Sequence, residues 1–252
     1  MNEIWIYLLL FLTSLAAGFV DSIAGGGGLI TLPALLMAGV PPQLALGTNK
    51  LQSSFGSASA TRVYLRAGAI RGGGWGWGLV CVCAAAGAGA CAVQRLPASL
   101  LRSIIPWLLA SILVCLFLKP DLGHREAKPK LSPGLFYLVF GLGLGFYDGF
   151  FGPGTGTFWA MAYVLVLGYD LTRATAHTKL MNFGSNAGSL IFFMLGGKVL
   201  YGTGLVMAAG QFVGGRAGAR MVVARGARFI RPVLLSVAFI MTAKLFWDRF
   251  RG

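Results

Sequence analysis

The stretch that decides the fold covers residues 18–50. It reads GFVDSIAGGGGLITLPALLMAGVPPQLALGTNK. Its four consecutive glycines, Gly25, Gly26, Gly27 and Gly28, break a helix and leave backbone N–H groups without helical partners. Because apolar segments flank the break on both sides, we expect it to lie at membrane depth. Broken backbone persists there only where it faces protein or a water-filled cavity, so the glycine run is a candidate binding site.

Composition indicates a membrane protein. Of the 252 residues, 56% are hydrophobic and 11% are charged, whereas soluble domains carry about 25% charged residues. The 21 Lys and Arg exceed the 7 Asp and Glu, which gives a net charge of +14. In a membrane protein such an excess is typical of cytoplasmic loops. We find no nucleic-acid signature, so we expect the bilayer and not nucleic acid to be the partner.

The apolar residues fall into ten segments, five on each side of a polar stretch at 119–133. That stretch is rich in proline and charge, which is typical of a surface linker. It divides the chain into a first transmembrane repeat (1–118), a polar linker (119–133) and a second transmembrane repeat (134–252). The segments lie at about 4–20, 29–40, 45–65, 74–94, 100–118, 134–148, 155–168, 173–195, 200–222 and 231–248. The second of each half is too short to cross about 30 Å of hydrocarbon, so we predict two half-helices.

The two halves repeat each other. The sequence GFVD at 18–21 recurs as GFYD at 145–148. The glycine run at 25–28 aligns with GPGT at 152–155. An internal repeat of this length predicts two structurally equivalent units.

The repeat extends beyond the glycines. ALGTNKL at 45–51 matches ATAHTKL at 174–180, which places Lys50 opposite Lys179. Five segments per half is an odd number, so the second half should be inverted in the membrane. The arginine-rich loop follows the third segment in the first half but the fourth segment in the second half. Inversion and the positive-inside rule require such a change. We therefore predict an all-α polytopic membrane protein of two inverted five-segment repeats, whose broken half-helices meet near the bilayer midplane.

The segments after the half-helices are unusually polar for lipid. Polar side chains recur at helical spacing after each of the two lysines. An intramembrane lysine costs several kcal/mol without a partner or water, which makes both lysines functional candidates. The alternative is a lysine near a helix end that reaches the interface. The predicted substrate-binding residues are Gly25, Gly26, Gly27, Gly28, Thr48, Asn49, Lys50, Ser53, Ser54, Gly152, Gly154, Thr155, Thr178, Lys179, Asn182 and Asn186.

Two aspartates and one histidine are candidates for ion coupling. Asp21 and Asp148 stand at the glycine breaks, where they could neutralise the lysines, carry protons or only cap the half-helices. His177 could carry a proton, although a lone histidine is more often a packing residue. No His or Cys cluster has the spacing of a metal site, so we predict no metal and no cofactor.

These motifs resemble the TauE/SafE family of sulfite and organosulfonate exporters. The resemblance rests on DSIAGGGGLITLP with TNKLQ downstream, and on DGFFGPGTGT with HTKL in the second half. It covers nearly the whole chain and implies a multi-pass permease of the bacterial inner membrane. The second half departs from the first at Pro153, Thr155 and His177, so the two half-sites need not be equivalent.

The residues themselves favour an anion as substrate. Half-helix N-termini carry free N–H groups and a partial positive charge, and the lysines add to both. We therefore expect a secondary transporter that moves small anions by alternating access, with a homodimer as a possible assembly. The alternatives are a channel-like pore for small anions and a carrier of another small carboxylate or sulfur anion. An intramembrane enzyme using the two aspartates is third, and we expect no enzyme because no nucleophile motif accompanies them.

Overall fold

The computed structural model describes residues 3–117 and 127–226, and every regular element in these ranges is an α-helix. The predicted all-α class is confirmed there. The tenth segment, predicted at 231–248, and much of the linker lie outside the described residues. In chain order the helices are α1 (Glu3–Ala24), α2 (Gly27–Met37), α3 (Pro42–Arg66), α4 (Trp75–Gln94), α5 (Ala98–Phe117), α6 (Pro133–Phe150), α7 (Thr155–Val166), α8 (Leu171–Leu195) and α9 (Tyr201–Arg225).

The two predicted half-helices are present as α2 and α7. They have 11 and 12 residues, which makes each about 17 Å long, roughly half the hydrocarbon thickness. The first begins two residues earlier than predicted, because Gly27 and Gly28 form its first turn. The linker also ends one residue early. Pro133 is already helical, and the Ser132 side chain accepts a hydrogen bond from the first turn of α6.

Glycine conformation explains both breaks. Before α2, Gly25 and Gly26 have φ of 78° and 88°. Before α7, Gly152 and Gly154 have φ of 98° and 81°. Residues with a Cβ rarely adopt this left-handed region, whereas glycine enters it readily. Each half therefore turns from one helix into a short second helix within a few residues.

Each half packs its fourth helix against the other half. Helix α9 packs on α1 and α3, and α4 packs on α6 and α8, while α3 and α8 contact each other at the centre. Glycines allow the close approach. A Cβ on Gly210 would lie 2.5 Å from the carbonyl oxygen of Phe11, and one on Gly214 would lie 2.8 Å from the nitrogen of Phe19. Small residues at this spacing let α9 lie close against α1.

In each half a glycine hairpin joins two helices: α1 and α2 meet at Gly25 and Gly26, and α6 and α7 meet at Gly152 and Gly154. The two glycine hairpins open toward opposite ends of α4. Gln43, which follows α2, donates to the carbonyls of Gln94 (3.2 Å) and Leu96 (2.8 Å), beyond the C-terminal end of α4. Arg173, which follows α7, donates to the carbonyl of Arg71 (3.3 Å), just before α4 begins. This opposite placement supports the inverted repeat. The orientation of each half in a bilayer stays a prediction.

Hydropathy separates an outer layer from a more polar centre. Two described helical stretches, Ile4–Ile23 and Trp75–Gln94, have the length and apolar composition of a membrane span. The 25-residue helices α3 and α8 are long enough as well, but they bury polar side chains such as Gln52 and Ser185. Large apolar side chains are exposed on the outer helices. This pattern fits helices that face lipid outside and a polar site inside.

Accessibility of introduced cysteines tests the inversion. A Cβ on Gly73, Gly134 or Gly202 would meet nothing within 4 Å, and all three are exposed. Residue 73 lies just before α4, and residue 202 lies in the first turn of α9. We expect Gly73→Cys and Gly202→Cys to react with an impermeant maleimide from opposite faces of the membrane. The Gly134→Cys variant is the matched control, because Pro133 lies beside Gly74 and should react from the same face as residue 73. Each variant is made with the four native cysteines replaced by alanine. Labelling of residues 73 and 202 from the same face would exclude the inverted repeat.

Candidate functional site

The two glycine hairpins meet at a small buried cavity. A Cβ on Gly25 would lie 2.7 Å from the backbone of Gly156, and one on Gly28 would lie 3.2 Å from Pro153 Cα. The cavity has a volume of about 30 Å³, room for about two water molecules. Its lining comes from both hairpins and from α3 and α8. The lining residues are Asp21, Gly26, Gly28, Asn49, Lys50, Ser53, Asp148, Gly152, Gly154, Thr155, Gly156, Asn182 and Asn186.

Two ion pairs cross between the halves at this cavity. Lys50 of the first half lies 2.6 Å from Asp148 of the second, measured from Nζ to Oδ1. Lys179 of the second half lies 2.9 Å from Asp21 of the first, measured from Nζ to Oδ2. The lysines are only 1% and 0% exposed. Each half therefore neutralises the buried lysine of the other.

Further hydrogen bonds fix both carboxylates. Asp148 accepts a second bond from Lys50 at its carbonyl oxygen, and its Oδ2 accepts from the Ser185 hydroxyl. Asp21 accepts the backbone N–H of Gly27 at Oδ1 (3.0 Å). Asp21 thus has both of the static roles considered for it: it neutralises a lysine and satisfies an N–H of the α2 first turn.

Most other polar groups at the cavity can donate hydrogen bonds. The Oδ1 of Asn49 accepts from Thr31 (2.6 Å) and from Gln52 (2.8 Å). These bonds occupy the carbonyl oxygen, and the amide nitrogen of Asn49 lies 3.6 Å from where a Cβ on the lining residue Gly28 would stand. Asn182 and other amide and hydroxyl side chains complete the lining. An environment of this kind suits a ligand with several acceptor oxygens.

The helix ends add positive charge. The N-terminal turns of α2 and α7 face each other across the cavity, and Gly28 and Gly156 in those turns line it. The N–H groups of Gly27, Leu29, Thr155 and Thr157 are already bonded to Asp21 or to preceding carbonyls. Among the described residues of these two turns, Gly28 and Gly156 have N–H groups without a partner, and both turns carry the partial positive charge of a helix N-terminus. The formal charges of the two lysines and the two aspartates cancel. The helix ends therefore leave the cavity with an excess of positive potential.

The comparisons with known proteins agree with the resemblance read from the motifs. The family described as sulfite exporter TauE/SafE matches residues 10–245. The chain belongs to the TauE/SafE family. It is 45% identical over 239 residues to the "probable membrane transporter protein YfcA" of Escherichia coli, covering 95% of this chain and 89% of the relative.

Two further relatives carry similar names. A "probable membrane transporter protein" of Haemophilus influenzae is 44% identical over 241 residues, covering 96% of this chain and 94% of the relative. A "probable membrane transporter protein" of Sinorhizobium is 43% identical over 250 residues, covering 98% and 96%. No solved structure matches the chain. This TauE/SafE protein is accordingly a helical membrane transporter by family, and the relatives' names do not specify what they carry.

Not every predicted site residue of this TauE/SafE chain lines the cavity. Gly25, Gly27, Thr48, Ser54, Thr178 and Lys179 lie around it. A Cβ on Gly27 would lie 2.6 Å from the Asp21 Cβ, so this glycine makes room for the aspartate. Thr48 accepts the backbone N–H of Leu200 (3.0 Å), and Ser54 donates within α3 to the carbonyl of Lys50 (2.8 Å). Gly27, Thr48 and Ser54 therefore support the site from behind. The substrate-binding role of the lining residues stays a prediction, and so does that of Lys179, whose Nζ lies 3.4 Å from where a Cβ on the lining residue Gly156 would stand.

His177 lies apart from the cavity. The backbone N–H of Arg71 donates to its Nε2 (3.2 Å), and the rings of Tyr163 and Tyr169 lie 5.5 and 5.1 Å away. Arg173 stacks on Tyr169 at 3.8 Å. These contacts describe a histidine packed against the α3–α4 loop. Among the residues that the structure describes, no three His, Cys, Asp or Glu side chains come together as metal ligands.

Three residues of the site were not among the predicted set. Gly156 lines the cavity, Ser185 bonds Asp148, and Thr31 bonds Asn49. Ser185 follows Asn182 by three residues on the polar face of α8, so helical spacing could have found it. The contact of Thr31 with α3 joins two helices, and no local pattern specifies it.

A double-mutant cycle tests the crossed pairing. Removing one partner of a buried ion pair leaves an uncompensated charge and costs roughly 3 to 5 kcal/mol. We expect Lys50→Met to be destabilised by this amount and to recover most of it when combined with Asp148→Asn. The matched control combines Lys50→Met with Asp21→Asn, which should add a second loss because it strands Lys179. Unfolding in detergent micelles measures the wild type, the three single variants and the two double variants, and equal rescue by the two aspartate substitutions would contradict the pairing.

Proposed function

We propose that this TauE/SafE protein is a secondary transporter that carries small anions across the bacterial inner membrane by alternating access. Sulfite or an organosulfonate is the first candidate substrate, in line with the family description. The proposal is carried by one observation: two buried lysines, Lys50 and Lys179, stand where the N-termini of two short helices face each other. Such a site attracts anions by charge and through the N–H groups of Gly28 and Gly156, which line the cavity.

The donors suit an oxyanion. Sulfite and sulfonate groups each present three oxygens that accept hydrogen bonds. The cavity offers the Lys50 ammonium group, the amides of Asn49, Asn182 and Asn186, and the N–H groups of Gly28 and Gly156. The Lys179 ammonium group lies just behind the lining, 3.4 Å from where a Cβ on Gly156 would stand. Donors that surround a small volume bind such a group better than they bind a cation, which needs oxygen ligands.

Binding requires the ion pairs to rearrange. The cavity holds about two water molecules, whereas sulfite has four non-hydrogen atoms. An entering anion must therefore displace a carboxylate from Lys50 or Lys179 or push the hairpins apart. A displaced Asp148 or Asp21 then needs a new positive partner, for which a proton is the simplest candidate. This exchange would couple anion binding to proton uptake and to movement of the hairpins.

The crossed arrangement supports alternating access over an open pore. Both lysines are buried, and the ion pairs join the two halves at the point where the hairpins meet. When the halves move relative to each other, the pairs must shift or break. The hairpins open toward opposite ends of α4, so each hairpin would control access from one end.

The distribution of basic residues orients the transporter in this proposal. Described Lys and Arg residues concentrate at the end where α3 and α9 terminate and α4 begins. By the positive-inside rule this end faces the cytoplasm. The residues of this end are Arg62, Arg66, Arg71, Lys128, Lys130, Arg173, Arg216, Arg220 and Arg225.

Lysine substitutions test the anion site. We expect Lys50→Met and Lys179→Met each to weaken anion binding by roughly 1 to 3 kcal/mol, the scale of a lost charged hydrogen bond. Lys198→Met, in the α8–α9 loop, removes the same charge outside the cavity and should bind normally. A thermal-shift screen of sulfite, thiosulfate, sulfonates and carboxylates identifies the ligand and measures the loss. Normal binding by both Lys50→Met and Lys179→Met in a folded state would contradict the lysine site.

Counterflow in proteoliposomes separates the carrier from the pore. A carrier exchanges labelled for unlabelled substrate, so preloaded vesicles should accumulate label transiently. A channel-like pore only lets label equilibrate. Absence of counterflow together with rapid uptake would exclude alternating access and favour the pore.

A pair of glycine substitutions separates ligand binding from packing. Gly28 lines the cavity, so the methyl group of Gly28→Ala should reduce anion binding. It should cost less stability than Gly27→Ala, because its Cβ would lie 3.2 Å from Pro153 Cα, whereas a Cβ on Gly27 would lie 2.6 Å from the Asp21 Cβ. Gly27→Ala places its Cβ against Asp21, and overpacking of this kind costs roughly 1 to 3 kcal/mol. We expect Gly27→Ala to lose chiefly stability. Anion affinity and thermal stability, measured on both variants, distinguish lost binding from lost packing. Full affinity in a stable Gly28→Ala protein would contradict a role of this turn in binding.

A further inference from the structure

A second cavity lies between the C-terminal parts of α3 and α9. It has a volume of about 260 Å³ and is lined by Ser59, Val63, Ala67, Phe212 and four arginines. The two helices run parallel, because Thr48 contacts Leu200 near their starts and Ser59 bonds Phe212 further along. Their ends therefore lie side by side. The arginines of this cleft are Arg62, Arg66, Arg216 and Arg220.

The four guanidinium groups have no compensating partner in residues 3–117 and 127–226. No hydrogen bond or ion pair joins any of them to that part of the chain, and none of its carboxylates lines the cleft. Guanidinium groups that converge on one cavity repel each other unless an anion lies between them. The α3 C-terminus carries a partial negative charge that offsets only part of this repulsion.

The equivalent place in the other half is built differently. There the C-terminal ends of α8 and α4 lie together, and Gln94 of α4 donates to the carbonyl of Phe192 (3.3 Å). A Cβ on Gly196 would collide with the Gln94 side chain. Packing thus closes this end, whereas the α3–α9 end is open and basic. The cleft is therefore a feature of one end of the molecule and not a consequence of the repeat.

We propose that this arginine cleft binds the phosphate headgroup of an anionic phospholipid. Arginine binds phosphate through two parallel N–H donors, and four arginines provide several such pairs. The volume fits a headgroup and not a whole lipid. Phe212 and Val63 supply an apolar wall, and the exposed Leu205 continues the face of Phe212 two turns earlier along α9, where an acyl chain would run.

Lipid is a better occupant than a soluble anion because of this apolar wall. A dissolved phosphate gains nothing from contact with Phe212, whereas a phospholipid buries its first methylene groups there. The cleft also lies at the basic end of the molecule, where anionic lipids of the cytoplasmic leaflet collect near Lys and Arg. The cleft is separate from the central cavity, so the lipid proposal does not depend on the proposed transport.

Native mass spectrometry of the full chain in neutral detergent tests the cleft. Phosphatidylglycerol and phosphatidylcholine with the same acyl chains are titrated separately, and inorganic phosphate is a third arm. We expect saturable binding of phosphatidylglycerol that R216Q/R220Q weakens roughly tenfold or more. R95Q/R102Q removes two exposed arginines outside the cleft and should change binding less than about twofold. R216K/R220K retains the charge but not the paired donors, and its affinity should fall between wild type and R216Q/R220Q.

The outcomes separate the possible sources of binding. Equal binding of the two lipids, or equal losses in the cleft variant and the R95Q/R102Q control, would overturn the proposal in favour of general attraction. If inorganic phosphate at millimolar concentration displaces bound phosphatidylglycerol, the cleft is a site for soluble anions. That result would also overturn the proposal. All four side chains are exposed, so the variants should keep the wild-type Tm. If R216Q/R220Q unfolds, the single Arg220→Gln variant gives the same comparison.

Discussion

Two buried lysines that need carboxylates from the opposite half constrain the whole structure. A charge at the centre of a membrane protein is costly unless it is paired or hydrated. Lys50 and Lys179 are almost fully buried, and each finds its aspartate across the repeat boundary. Neither half could bury its own lysine in this way by itself. The central position of α3 and α8 and the meeting of the two hairpins both follow from this requirement.

The four glycines at 25–28 have different structural roles. Gly25 allows the other hairpin to approach, since a Cβ there would meet Gly156. Gly25 and Gly26 both adopt the left-handed conformation of the turn, and Gly27 leaves room for Asp21, which accepts its N–H. Gly28 faces the cavity. Four identical residues therefore meet four different constraints, which explains why a single substitution cannot report on the run as a whole.

Local patterns were enough to predict the helices, the breaks and the polar residues, but not the pairing. Glycine clusters and short apolar segments specify α2 and α7 because their causes are local in sequence. The repeat aligned Lys50 with Lys179, yet pairing within a half and pairing across halves fitted that alignment equally well. Tertiary packing decides between them. His177 shows the same limit: it is two residues from Lys179, which turns it to another side of α8, toward Arg71.

The ion pairs also bear on which anions such a site could select under the proposed function. A substrate must compete with a carboxylate that already lies 2.6 Å from Lys50 and is tethered to the protein. Charge alone gives it no advantage over Asp148. An anion with three oxygens can, however, use the lysine, an asparagine amide and a first-turn N–H at once, whereas the tethered carboxylate is held by Ser185 on one side. The number and direction of acceptor oxygens, more than net charge, would therefore discriminate sulfonate-like anions from simple carboxylates.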